Sequence, residues 1–146
     1  MRTLIMLGVM AVAALGGASR LVAQDKGWVV VVNEGNYLTG ISTDELNRIY
    51  TKKTIRWTDG QVIVPVDLTD DQPVREVFSQ AVLRKTVNAV KSYWQSIIFS
   101  GRGVPPVQFQ SEQAVLSYVR STPGAIAYVS TETAIGPGIR RVHVQN

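Results

Sequence analysis

The chain has 146 residues, fifteen of them basic and eleven acidic, a formal net charge of +4, and no cysteine. The missing thiols exclude a disulfide scaffold, a thiolate nucleophile and any cysteine-based metal or redox centre. Lysine and arginine are spread along the chain, with adjacent pairs only at Lys52-Lys53, Arg84-Lys85 and Arg140-Arg141. A nucleic-acid partner is excluded, because it needs basic residues clustered on one face.

Met1-Arg2 gives a positive start, and Leu4 to Leu15 runs without a charge. Small residues follow at Gly16, Gly17, Ala18 and Ser19, before the polar Gln24-Asp25. A charged start, an apolar run of roughly 7–15 residues and a small-residue exit make a secretory signal peptide. A membrane anchor would need about 20 apolar residues, and Arg20 interrupts too early. Cleavage after Ala23 leaves Leu21 at the minus-three position. Cleavage after Ala18 fits the small-residue rule better but leaves Arg20 in the mature chain. With residues 1–23 as signal peptide, residues 24–146 form one exported domain, periplasmic or secreted. Arg2 and Arg20 leave with the signal, so thirteen basic residues face eleven acidic ones, a net charge of +2. Without disulfides, about 120 residues must hold their core by burial alone, which this size permits.

Trp28-Val29-Val30-Val31-Val32 is a continuous β-branched run, expected as a strand buried on both faces. Ser42-Thr43-Asp44-Glu45 predicts a capping box opening a helix with Leu46, Ile49 and Tyr50 inward. A second strand is expected over 62–66, with Pro65 at an edge or a strand end because it lacks an amide donor. Pro73 opens a helix that presents Val74, Val77, Phe78, Ala81 and Val82 on one face. Another helix presents Val87, Val90, Trp94, Ile97 and Ile98. Residues 101–106 are a breaker-rich loop. Ser111 caps a helix with Val115, Tyr118 and Val119 inward, and Pro123-Gly124 turns into a strand over 125–129. A final strand covers 139–144. This order predicts an α/β fold, a mixed sheet flanked by helices.

The fragments Leu46-x-x-Ile49-Tyr50, Trp57-x-x-Gly60, Ile63-x-Pro65-Val66 and Arg75-x-x-Phe78 occur in that order. They continue with Tyr93-Trp94, Phe99-x-Gly101, Pro105-Pro106, Ser111-x-x-x-Val115-x-x-x-Val119 and Pro123-Gly124-Ala125-Ile126-x-Tyr128-Val129. Together they resemble the periplasmic phosphate-binding proteins of ABC phosphate importers, over roughly residues 28 to 130. The resemblance implies one lobe of a type II periplasmic binding protein, where a complete member has two lobes closing on the ligand. In the family, the strand matching 62–66 leads into an arginine and a Ser-Gly-Thr turn that holds phosphate at a helix N-terminus. Here the stretch reads Asp67-Leu68-Thr69-Asp70-Asp71-Gln72-Pro73-Val74-Arg75. The arginine is replaced by Asp67 and the turn is missing. A carboxylate about 5 Å from a phosphate repels it by about a few kcal/mol at an effective dielectric of 20.

The residues themselves suggest helix capping here, with Arg75 pairing with Asp71 four residues earlier. If a ligand binds, the candidate groups are Thr69, Gln72 and Arg75, joined by Asn33 from the end of the first strand. Catalysis has little to use. His143, the single histidine, sits in a strand pattern without further nitrogen or sulfur ligands for zinc. The cluster Asp67, Asp70 and Asp71 lacks the pattern of a calcium loop. The expectation is a non-enzymatic exported binding-protein-like domain, without cofactor or metal, that binds a small anion or other solute weakly. The alternative is an accessory module that docks a sensor, porin or transporter without a small ligand. Partners in prospect are a small anion or solute, an ABC importer or envelope protein, and a second copy in a homodimer. No membrane span remains after signal cleavage.

Overall fold

Five β-branched and aromatic residues in a row cannot be solvated on either face, and they form the strand β1 (Trp28–Asn33). The computed structural model describes residues 25–146; the expected signal segment at 1–23 lies outside the described residues. After β1 come β2 (Gly40–Ser42), α1 (Thr43–Tyr50), β3 (Val64–Leu68) and α2 (Pro73–Phe78). α2 passes directly into a π-helical segment (Ser79–Leu83), followed by α3 (Val87–Phe99) and β4 (Val107–Phe109). The chain ends with α4 (Glu112–Ser121), β5 (Ala125–Ser130) and β6 (Ile139–Gln145). The six strands make one mixed sheet in the order β2-β6-β1-β5-β3-β4.

β1 and β5 are the centre, antiparallel to each other, with Val30 opposite Tyr128 and Val32 opposite Ile126. β5 is buried along all but its last residue, so both faces of the sheet are covered. Tyr128 meets Phe78 of α2 and Tyr50 of α1 on one face. α4 packs across β5, β1 and β3 on the other. β3 runs parallel to β5 and to β4. Pro65 pairs with Ile126 on the β5 side, and β4 begins its pairing only at Val66. The residue without an amide donor therefore sits where one side of the strand is still open, as its chemistry requires.

The helix starts follow their caps. Ser42 Oγ accepts from Glu45 N at 3.1 Å, Thr86 Oγ1 from Ala89 N at 3.2 Å, and Ser111 Oγ from Ala114 N at 3.1 Å. Glu45 is exposed, and only the serine half of the expected box forms. Gly124 is required by close approach: a Cβ there would stand 2.2 Å from the carbonyl oxygen of Val62. Its own carbonyl accepts from Val64 N at 2.9 Å and from Trp57 Nε1 at 3.2 Å, clamping the 55–63 loop to the start of β5.

Ile98, expected on the same face of α3 as Val87, Val90 and Trp94, is 50% exposed, and two further expectations change. The second strand starts two residues later than the expected 62–66, because Val62 makes only an isolated bridge with Arg56. The inward face of α2 is also rotated: Val74, Phe78 and Val82 are buried together with Arg75 and Ser79. Val77 is 48% exposed, and Ala81 is exposed beside it. Burying an arginine and a serine turns the helix away from the all-apolar stripe.

Candidate functional site

β3 carries a carboxylate into the sheet. Asp67 follows three apolar residues in an otherwise buried strand and is 7% exposed. A buried charge is stable only when paired and hydrogen-bonded, and Asp67 has three partners. Arg75 Nη1 lies 2.8 Å from its Oδ2, and Leu68 N donates to its Oδ1 at 2.8 Å. Tyr128 Oη, on the neighbouring strand β5, donates to the same Oδ1. Arg75, 3% exposed, also donates through Nη1 to the carbonyl of Leu68. The expected pair of Arg75 with Asp71 is thus corrected. Arg75 points from α2 into the interior, while Asp71 stays exposed and accepts from Thr69 Oγ1 at 2.6 Å. Asp67, likewise, lies in the interior and not at the mouth of a pocket.

Electrostatics follow from the burial. Desolvation pushes the Asp67 carboxyl above the ordinary carboxylate range, against the pull of Arg75, Tyr128 and the Leu68 amide. Burial, reinforced by the nearby Asp67 charge, raises the hydroxyls of Tyr128 and Tyr50 above the ordinary tyrosine value. Tyr50 Oη donates to the carbonyl of Val66 at 2.8 Å, one residue before Asp67. Both folded tyrosine values lie above the unfolded one of about 10. Their contribution to stability is therefore complete below that pH and is lost as pH rises through the folded values. Alkaline unfolding is the expected result. In an ultraviolet titration, two of the five tyrosines, Tyr50 and Tyr128, should ionise only as the circular dichroism of the fold collapses. Ionisation of all five in one step with the fold intact would contradict this arrangement.

Beyond β3, the turn leads to α2. Thr69 N donates to Phe109 O of β4 at 3.0 Å, and Gln72 N to Thr69 O at 3.1 Å. Gln72 Nε2 donates to Gln110 O at 2.9 Å. Gln72 is the N-cap of α2 but makes no side-chain cap bond, and Pro73 removes the next amide. Asp70 pairs with Lys91 Nζ of α3 at 2.6 Å, which holds its carboxyl below the ordinary range. Thr69, Asp70, Asp71, Lys91 and Gln108 border an open cavity of about 410 Å³. Of the four candidate ligand groups, Thr69, Gln72 and Arg75 thus gather at the C-terminal end of β3.

Asn33 does not join them. β1 is antiparallel to β5, and β5 is parallel to β3, so the end of β1 lies beside the beginning of β3. There Asn33 Nδ2 donates to Val119 O at 3.0 Å and Arg120 O at 2.9 Å, satisfying carbonyls at the end of α4. Its Oδ1 accepts from Gly35 N at 2.9 Å. His143 is exposed on β6, opposite Gly40. Lys91 and Gln108, which border the cavities at this end of the sheet, carried no sequence signal of their own, and Trp94 was legible only as part of a helix face. Among the described residues, no helix is long and apolar enough to cross a membrane.

No protein-family model and no curated protein matches the sequence. Solved structures do match. An ABC-type phosphate transport receptor from Vibrio cholerae superposes with a TM-score of 0.64 at 16% identity, over 81% of this chain and 46% of its own. PstS from Borrelia burgdorferi gives a TM-score of 0.62 at 14% identity, over 81% of this chain and 47% of its own. A protein from Clostridium perfringens, named as a phosphate ABC transporter substrate-binding protein and solved with bound phosphate, gives 0.62 at 20% identity. That match covers 81% of this chain and 44% of the other. The mixed α/β fold is therefore that of a portion of the phosphate receptors, and the chain spans less than half their length.

Proposed function

We propose that residues 24–146 form a non-enzymatic exported binding domain, periplasmic or secreted after removal of residues 1–23. It holds a small anion or other solute weakly at the C-terminal end of β3. The observation that carries this reading is the open cavity at that end, bordered by Thr69 and Lys91 beside the turn that holds Gln72, in a fold shared with phosphate receptors. Weak binding follows from the chemistry of the turn. Asp71 lines the cavity, Pro73 removes an amide, and Arg75 already pairs with Asp67 through Nη1.

Calorimetry of the mature protein against phosphate and sulfate is expected to give dissociation constants on the order of a millimolar. Thr69→Val and Gln72→Ala are expected to weaken them further. Submicromolar phosphate binding would overturn the weak-binding reading.

A second reading is favoured by one surface. Phe99 is 96% exposed, with Ile98, Val104 and Val107 also 40% or more exposed around the α3–β4 loop. Exposed apolar groups of this size mark docking surfaces. In that reading the domain is an accessory module for an ABC importer, another envelope protein or a second copy of itself. A tight protein complex that is indifferent to every anion tested would decide in its favour.

A further inference from the structure

We propose that the cavity between α3 and the loop leading into β4 is a site for a small amphiphilic monocarboxylate, an aryl- or alkyl-substituted acid. This goes beyond the binding reading: the cavity adjoins the one at Thr69, sharing Lys91 and Gln108 with it, and its ligand chemistry differs from phosphate.

The cavity is open, measures about 350 Å³ and is bordered by Arg75, Lys91, Trp94, Ile98, Pro105 and Gln108. Its volume is at the small end of ligand pockets, which are mainly apolar with a few placed polar groups. Arg75 supplies the first of these. A guanidinium has five N–H donors, and the bonds to Asp67 and Leu68 both leave from Nη1. Nε and Nη2 have no acceptor among the described residues. Unlike Trp28 Nε1 and Arg140 Nε and Nη2, they are not sealed without a partner among the described residues. The side chain that carries these two donors is 3% exposed and borders the cavity. Two parallel donors on a rigid fork match the two oxygens of a carboxylate.

The other walls decide what the carboxylate is attached to. Trp94 is 8% exposed, Pro106 is buried beside Pro105, and Ile98 is 50% exposed at the rim. These surfaces favour a hydrocarbon or aromatic body. Charge decides against a dianion. Arg75 is matched by Asp67 and Lys91 by Asp70, so the local cluster is neutral before the ligand arrives. One negative charge can be met by the remaining donors of Arg75, whereas a second would find no unmatched cation in this cluster to offset its desolvation.

The test is a titration of the mature protein with phenylacetate, followed by tryptophan emission and amide NMR, beside a titration with inorganic phosphate. Phenylacetate should change Trp94 emission saturably and shift the amides of Lys91, Trp94 and Gln108. Trp94→Phe should abolish the emission change while the amide shifts remain. Ile98→Glu, a change at an exposed rim position, should weaken binding by about tenfold or more. Thr69→Val should leave it unaltered. Shifts confined to Thr69 and Gln72, produced by phosphate and not by phenylacetate, would overturn this proposal and leave the binding reading standing. No response to either ligand would overturn both.

Discussion

Replacing Asp67 with alanine should destabilise the domain by about 3–5 kcal/mol, the penalty for leaving one partner of a buried ion pair alone. The loss is concentrated on two groups. Arg75, 3% exposed, would keep a buried charge with only the Leu68 carbonyl on Nη1. Tyr128 Oη would lose its acceptor inside the core. An unsatisfied buried donor costs its own desolvation of about 1–3 kcal/mol. The double variant Asp67→Leu with Arg75→Met removes both charges and keeps the volume filled, and it should recover the part of the loss owed to Arg75 while Tyr128 Oη stays unpaired. Urea denaturation of the two variants beside the native chain is the measurement. A single-variant loss below about 1 kcal/mol would mean that water or a shifted side chain satisfies Arg75.

Much of the fold was legible in the sequence, and the reasons differ between elements. β1 announces itself as a β-branched run, β5 as an apolar run after the Pro123-Gly124 turn, and α1 and α4 as serine caps followed by apolar residues at helical spacing. β2 and β4 were not foreseen. Three residues, Gly40–Ser42 or Val107–Phe109, are too short to show alternation, and each is a strand only because β6 or β3 offers it an edge. The partner of Arg75 was misassigned for a related reason. Spacing along a helix can suggest Asp71, but burial selects Asp67, and that choice depends on Tyr128 sixty-one residues later in the chain. A clue was present: a carboxylate ending the run Val64-Pro65-Val66 must find a partner wherever that strand is covered on both sides. Asn33 was misplaced because strand direction is invisible in a linear reading. The cavity beside α3 is built from α2, α3 and a proline loop, so no single stretch of sequence could reveal it.

The second large effect lies directly beneath the ion pair. Phe78→Ala is expected to cost about 3–5 kcal/mol, as for other phenylalanines deleted from a packed core. Phe78 is 2% exposed and stacks on Tyr128, with ring centroids 3.7 Å apart and planes 5° from parallel. It also meets Trp28 edge-on at 5.1 Å and Tyr50 at 4.9 Å. The hole left by the ring would border both tyrosines whose hydroxyls hold β3, Tyr128 on Asp67 and Tyr50 on the Val66 carbonyl. Loss of packing and loss of hydroxyl orientation should therefore occur together, and the near-ultraviolet circular dichroism should fall even where the variant is still folded. The coupling is measurable. Because both sites act through Tyr128, Phe78→Ala and Asp67→Ala combined should differ from the sum of the single losses by about 0.5–3 kcal/mol. Phe78→Leu, which keeps much of the volume, should show a smaller coupling. Additivity within about 0.5 kcal/mol would show that the aromatic stack and the ion pair are independent, and that Tyr128 does not transmit strain between them.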